Sequence, residues 1–380
     1  MHVTPFRIHV PDEVLADLRT RLRSTRWPAP APGPAWAQGT DLAYLQPLLG
    51  YWADGFDWRA QEGHLNTFRH FHAELDGIRV HFIHERAREG HGIPLIITHG
   101  WPSAFVELLP LVPLLTAPAA HGIEGPAFDL VIPSLPGYGF SERPRSANYR
   151  TVARLWHQLM QGLGYTRYGA GGGDFGAGVA THMALEDPAR LIGIHLTTPE
   201  LWPATGAGTR PLSDAEAAYV RQVQAWDAVE RGYSAIQSTR PQTLGYALND
   251  SPAGLAAWLL EKWRSWSDSG GDLEARFSRE FLLTLLTIYW ATGSITTSLR
   301  DYYDNRWEPA EIPAGMRVPV PAGFANFHHN YVSEGSPPRE WVERLYDIRR
   351  WTEMPHGGHF AAAEEPVQLA RDLAAFFGTL

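Results

Sequence analysis

Gly171-Gly172-Gly173-Asp174-Phe175-Gly176-Ala177 puts one carboxylate where a strand would break into a helix, with Gly or Ala at the positions that would crowd it. A chain that turns abruptly from strand to helix brings its own backbone close. Small residues at the crowded positions permit a strained turn, a nucleophile elbow, that lifts one reactive side chain clear of the sheet. The usual occupant is Ser, and here it is Asp174. A carboxylate attacking an ester carbonyl gives only an anhydride, whereas attack on a saturated carbon gives a stable alkyl ester that water can later cleave. Asp174 therefore points to substrates such as epoxides or alkyl halides.

The same stretch contains Gly171-x-Gly173-x-x-Gly176, a formal match to a dinucleotide-binding fingerprint. Such a fingerprint opens the first strand-turn-helix unit of its domain. This one lies near mid-chain behind Tyr165-Thr166-Arg167-Tyr168, read as a short and weakly apolar strand, and the placement argues against a nicotinamide or flavin enzyme. The plainer alternative is a Gly-rich loop in which Asp174 only caps a helix.

Outward from the elbow, the alternation is that of a parallel sheet. Residues 94–98 and 128–133 are short apolar runs, each followed by a Gly- and Pro-containing turn, His99-Gly100-Trp101-Pro102 and Pro136-Gly137-Tyr138-Gly139-Phe140. Phe105, Leu108, Leu109, Val112 and Leu115 mark an intervening helix, weakened by Pro110 and Pro113, and residues 191–196 supply another strand. Buried strands alternating with helices imply a doubly wound α/β architecture, and the elbow makes it an α/β-hydrolase fold. Between about 201 and 313 the strand signal gives way to helical patterns rich in Trp and Tyr, as an inserted lid would look. The sheet pattern returns at residues 318–321, and the last helix runs through Val367, Leu369, Leu373, Phe376 and Phe377.

Ahead of the sheet, Pro11-Asp12 precedes an amphipathic helix with a capped first turn through Val14, Leu15, Leu18 and Leu22. A Pro-rich connector and a second helix, Leu42 to Trp52, follow, and residues 68–84 read as paired strands around Asp76-Gly77. This segment offers apolar faces and few convergent reactive groups, the mark of a packing accessory. The expected organisation is an accessory region at 1–92, a hydrolase core at 93–200 and 314–380, and a helical lid at 201–313.

The 380 residues are 44% apolar, with a formal charge of −9 and no cysteine. Disulfides, thiolate metal sites and cysteine nucleophiles are thereby excluded. The negative balance, without a basic run, gives a polyanion little to hold, so nucleic acid is not an expected partner. No run approaches the ~20 apolar residues a membrane span needs, and residues 1–5 lack the features of a secretion signal. A cytoplasmic protein with no membrane partner is expected, and a homodimer is among the assemblies this allows. Lys262 is the one lysine among 32 basic residues, a bias read as codon composition without chemical content.

A nucleophile of this kind needs a base. His359, in His356-Gly357-Gly358-His359-Phe360, follows the last apolar strand, in the order nucleophile then histidine that the fold uses. It would activate the water that attacks the ester. His356 and His359 could instead bind metal, but further ligands are not evident; His328 and His329 read as polar loop residues. No metal and no cofactor are expected. The oxyanion formed on hydrolysis needs donors, and the backbone N–H groups of Trp101 and Phe175 occupy the places where the fold supplies them, although Gly100-Trp101-Pro102 alone could be a simple turn.

His99-Gly100-Trp101-Pro102, Gly172-Gly173-Asp174-Phe175-Gly176, the stretch from Gly232-Tyr233 to Arg240-Pro241, and Gly357-Gly358-His359-Phe360 together resemble the microsomal-type epoxide hydrolase family. The segment up to about Gly90 resembles that family's N-terminal accessory region. The resemblance spans essentially the whole chain and implies two lid tyrosines that hydrogen-bond the epoxide oxygen, at Tyr233 and at Tyr302, with Tyr303 competing for the second role. A phenol suits it, being protonated at neutral pH.

The chain departs from the family at two positions. Phe175 stands where Trp is common, which removes an indole N–H that related haloalkane dehalogenases use for the leaving halide. The acid that orients the histidine is expected after residues 318–327, where an ungapped match gives Asn330 and the nearest carboxylate is Glu334. Glu334 is the favoured acid, and Glu200, after the strand at 191–196, is a further candidate. The implied activity is opening of a hydrophobic or aromatic epoxide by water to a vicinal diol, through an Asp174 ester, in detoxification or secondary metabolism. A haloalkane dehalogenase, or a binding or isomerising protein on the same scaffold, is the alternative.

Overall fold

The computed structural model describes residues 1–88, 90–309, 315–330 and 335–380. Among them nine strands form one sheet: β1 (Val3–Phe6), β2 (His70–Leu75), β3 (Ile78–Glu85), β4 (Ile93–Thr98), β5 (Phe128–Pro133), β6 (Tyr168–Gly172), β7 (Leu191–Leu196), β8 (Pro321–Phe327) and β9 (Asp347–Met354). The spatial order is β1-β2-β3-β5-β4-β6-β7-β8-β9. From β5 to β9 every pairing is parallel, and β1, β2 and β3 extend the sheet antiparallel. All six residues of β5 are buried, as a central strand covered on both faces requires, and its one charged residue, Asp129, is paired with Arg86 at 2.8 Å.

Several elements differ from the sequence expectation. The strand leading to the elbow is Tyr168–Gly172, beyond residues 165–168, because hydrogen bonding to β4 on one side and β7 on the other imposes extension on glycines of little strand preference. The late strand begins at Pro321, where the 318–321 pattern ends. The helix expected across 105–115 is broken at Pro110 into a 3₁₀ turn, Phe105–Leu108, and a short helix, Leu111–Thr116. The first helix, Asp12–Arg23, carries Pro11 at its N-cap and has no side-chain cap.

Between β7 and β8 the described chain is helical, from Asp214–Glu230 to Ser294–Trp307. This helical layer is fastened to the core at several points of its second half. Arg143, itself buried, reaches from the core to Asp301 at 2.5 Å and Asp304 at 2.6 Å on the helix that carries Tyr302. Trp263 Nε1 donates to the Pro102 carbonyl at 3.1 Å and Tyr289 OH to the Ser103 carbonyl at 2.7 Å, pinning the layer to the turn after β4. The N-terminal helices clasp it from outside: Trp52 Nε1 donates to Thr287 Oγ1 at 2.9 Å and Thr40 Oγ1 to the Ala257 carbonyl at 2.6 Å. Buried bonds of this kind, about 0.5–1.5 kcal/mol each, hold the helices over the sheet as one piece.

Among the described residues no single helix is long and apolar enough to cross a membrane.

Candidate active site

Every sequence-derived site residue that lies within the described chain falls at the C-terminal ends of the parallel strands or on the helices above them, where ligands bind in such sheets. Asp174 follows β6, Trp101 follows β4, Glu200 follows β7, Asn330 follows β8 and His359 follows β9. Glu334 lies outside the described residues.

The elbow is forced by close backbone approach. Asp174 has φ 51° and ψ −134°, a conformation that L residues rarely adopt and that typically costs ~1–3 kcal/mol. A Cβ on Gly172 or Gly176 would overlap the Thr98 carbonyl of β4, and one on Gly100 would overlap the Asp174 carboxylate. Only glycine lets β4 and β6 meet so closely at this corner.

The carboxylate is held asymmetrically. Oδ1 accepts from the Trp101 backbone N–H at 2.9 Å and from the Phe175 N–H at 2.7 Å. Oδ2 lies 3.4 Å from Nε2 of His359. The Thr198 hydroxyl accepts from the Asp174 N–H at 2.7 Å and steadies the turn. His359 is buried, and its Nδ1 lies 3.3 Å from Asn330 Oδ1. An amide oxygen only accepts, so Nδ1 is the donor in this contact, and Nε2 is the ring nitrogen that faces Asp174.

Glu364, which was not singled out in the sequence, shapes the histidine loop. Its carboxylate accepts from the N–H groups of Gly358 and Phe360, both at 3.0 Å, and of Asp268 at 2.7 Å, while the His359 N–H donates to the Trp266 carbonyl at 2.9 Å. A Glu at the end of a one-turn helix, beside Glu365, gives no sequence signal for such a role.

Above the carboxylate the lid forms an aromatic box. The Tyr233 ring stacks on Trp101 with centroids 5.5 Å apart and 7° between planes, and Tyr302 meets Trp101, Phe175 and Tyr233 edge-on at 5.0–5.8 Å. Tyr302 turns inward; Tyr303 is 42% exposed and packs beside Trp307. Burial raises the Tyr302 hydroxyl well above the ordinary phenol value, with Tyr233 and the Asp174 charge pushing the same way, so it is a neutral donor. The single lysine has a place here too: Lys262 Nζ lies 4.7 Å from the Tyr233 ring centroid, a cation on a π face, and pairs with Glu261 at 2.5 Å. Its composition-bias reading concealed this contact.

Asp174 separates two spaces. On the lid side a pocket of about 410 Å³ is lined by Phe175, Tyr233, Tyr302, Trp226, Val223 and Glu200, with the exposed Arg231 and Arg306 at its outer part. On the core side, a small cavity of about 40 Å³ touches Asp174, His359 and Glu107. Glu200 accepts from Tyr149 OH at 2.5 Å and so faces the lid-side pocket. His356 is exposed, His328 lies 3.0 Å from Glu353 and His329 3.5 Å from Asp268. Among the described residues no cluster of ligating side chains could hold a metal ion.

A family model described as the epoxide hydrolase N terminus matches residues 3–108, and one for the alpha/beta hydrolase fold matches residues 93–292. The chain is 42% identical to a putative epoxide hydrolase of Stigmatella aurantiaca (strain DW4/3-1) over 382 residues, covering all of this chain and 85% of that one. It is 36% identical to epoxide hydrolase 1 of Sus scrofa over 407 residues, covering 100% and 89%. The crystal structure of juvenile hormone epoxide hydrolase from the silkworm Bombyx mori superposes with a TM-score of 0.85 at 30% identity, covering 100% of this chain and 94% of that one. With the fold, the aspartate elbow and this full-length similarity in place, the chain belongs to the epoxide hydrolases of the alpha/beta hydrolase fold and is a hydrolase of epoxides.

Proposed function

We propose that the protein converts an epoxide bearing an apolar or aryl group to a vicinal diol through an ester on Asp174. The observation that carries this reading is the division of labour between the two carboxylate oxygens: Oδ1 is occupied by two backbone donors, while Oδ2 faces His359 and the space beneath the lid tyrosines.

In the first step Oδ2 attacks an epoxide carbon from the lid-side pocket, and the carbon–oxygen bond of the ring breaks. The oxygen that opens becomes an alkoxide, to which Tyr233 and Tyr302 donate. In the second step a water gives one proton to Nε2 of His359 and its oxygen bonds to Cγ of Asp174. Negative charge gathers on Oδ1, already between the amides of Trp101 and Phe175, so little reorganisation is needed at the moment of reaction. Collapse breaks the bond between Cγ and the ester oxygen, His359 returns its proton to the departing alcohol, and the diol leaves with the original Oδ2. The first alkoxide has taken its proton from a lid tyrosine, and the proton of the carboxyl group newly formed on Asp174 makes that one good, so both groups return to their starting state.

Glu334 is proposed to orient and charge-balance His359, with Asn330 holding Nδ1 in the meantime and Glu200 as the competing acid. The ring-lined pocket supports an apolar or aryl substituent, and the arginines at its outer part support a polar group pointing away from the oxirane.

His359→Gln tests the division into two steps. The variant should alkylate and then stall, so that intact-protein mass spectrometry finds a species heavier by one substrate. A folded variant with neither adduct nor turnover would overturn the assignment.

A further inference from the structure

The two-step reading needs a water that reaches Cγ of Asp174 while the lid-side pocket is filled by substrate. The small cavity on the opposite, core side of Asp174 is where the structure provides room. A water needs ~10–15 Å³ of accessible cavity volume, and this one offers about 40 Å³. Its walls are apolar at Ile97, Leu108 and Leu373, and several polar side chains line it as well. His195 is one, but its Nε2 lies 2.8 Å from Asp372, which already engages it. Thr98 accepts from Trp156 Nε1 at 3.0 Å, and the His99 ring meets the Gly100 carbonyl and the Leu135 N–H. Besides Asp174 itself, the other polar groups in the lining are Ser103, Thr197, His359 and Glu107, of which the last two have the acid–base chemistry that an attacking water needs.

Among the described residues Glu107 forms no ion pair with an arginine or lysine. It sits in the 3₁₀ turn Phe105–Leu108, only 8% exposed, and the groups that favour its ionised form are the Ser103 hydroxyl and the His359 ring. The turn packs against Ala361–Glu364, the helix that directly follows His359, so the two side chains enter the cavity from adjoining elements. The charged or titratable groups that act on it are His359, Asp174 and Glu364. Burial pushes its carboxyl up to about 7, while the Ser103 hydroxyl and His359 pull toward the ionised form. A carboxyl this expensive to bury is more readily understood as part of a site than as packing.

We propose that Glu107 is a further catalytic residue of the hydrolytic step: its carboxylate and the imidazole of His359 together hold the attacking water in the core-side cavity of Asp174. The water directs one O–H to Nε2 of His359 and the other to Glu107, which leaves an oxygen lone pair for Cγ. As the oxygen–carbon bond forms, the first proton passes to His359 and the second stays hydrogen-bonded to Glu107. Substrate and water thus approach Asp174 from opposite sides, and a bulky substrate need not leave a path for the water.

This inference rests on the covalent reading above, and its test separates the two. Rapid-quench and stopped-flow measurements on Glu107→Gln, which keeps the shape and can still accept from Ser103, should give an alkylation rate within about twofold of the parent and hydrolysis slowed ~10- to 100-fold, with ester accumulating. Ala362→Val, which narrows the same cavity and leaves the Glu107 carboxyl in place, should show the same split, and it keeps the test open if Glu107→Gln fails to fold. His359→Gln serves as the control: absence of an adduct there would sink the covalent reading itself. An adduct in His359→Gln, together with parent-like hydrolysis in Ala362→Val and in folded Glu107→Gln, or with equal slowing of both steps, would overturn the role of Glu107 alone.

Discussion

Replacing Tyr302 by Phe removes one hydroxyl and little else. The ring is packed by Trp101, Phe175 and Tyr233 at 5.0–5.8 Å, and these contacts are made by ring faces and edges that Phe keeps. The lost interaction is a single neutral donor aimed at a charge that exists only as the oxirane opens. Removal of one such preorganised donor costs about 2.7–4 kcal/mol, or two to three powers of ten in rate at 1.36 kcal/mol per decade. The alkylation rate should therefore fall ~10²- to 10³-fold, while hydrolysis of ester already formed changes little, because the alkoxide has been protonated by then. Trp101 touches both tyrosines and Asp174, so quenching of tryptophan fluorescence in a stopped-flow instrument reports the step directly. Tyr303→Phe is the control, since that ring is largely outside the box and should be silent. A silent Tyr302→Phe beside a crippled Tyr303→Phe, or a loss confined to hydrolysis, would refute the assignment.

Two further outcomes are expected. Glu334→Gln should slow hydrolysis of the ester more than its formation, and Asn330→Asp should then be near neutral; parent-like activity in Glu334→Gln with loss of hydrolysis in Glu200→Gln would move the acid to the end of β7. Thermal stability should decline as the pH is lowered from 6.5 toward 4, because burial holds His84, His99 and His182 down at about 4 and His81 well below its ordinary value. These folded values lie below the unfolded 6.5, so the unfolded chain takes up the extra protons in that window and stability is lost as pH falls; a melting temperature flat across it would contradict the burial argument.

The elbow was legible because its constraint is steric: glycines at 172 and 176 are required by the Thr98 carbonyl, and such a requirement is written directly in residue size. His359 was legible from chain order. The choice between Tyr302 and Tyr303 was not, since neighbours on a helix point about 100° apart and tertiary bonds, among them the clasp of Arg143 on Asp301 and Asp304, fix which one faces Asp174. The strand boundaries at β6 and β8 escaped for a related reason: Gly169, Gly171, Gly323 and Ala325 have little strand preference, and their extension is imposed by parallel neighbours far away in sequence. Glu107 was not singled out in the sequence, and Lys262 was read as codon composition without chemical content. Their placement beside His359 and Tyr233 depends on how the 3₁₀ turn and the lid pack, which no local pattern carries.

The central claim is that Asp174 becomes esterified and that water attacks its carbonyl carbon. A single turnover in heavy-oxygen water, followed by peptide mass analysis and analysis of the diol, tests it most directly. Because collapse breaks the bond between Cγ and the ester oxygen, the account predicts label on the Asp174 carboxylate and unlabelled diol in the first turnover, with label entering diol only in later ones. Label in the first-turnover diol and none on Asp174 would mean that water opens the epoxide itself, and the covalent mechanism would be wrong.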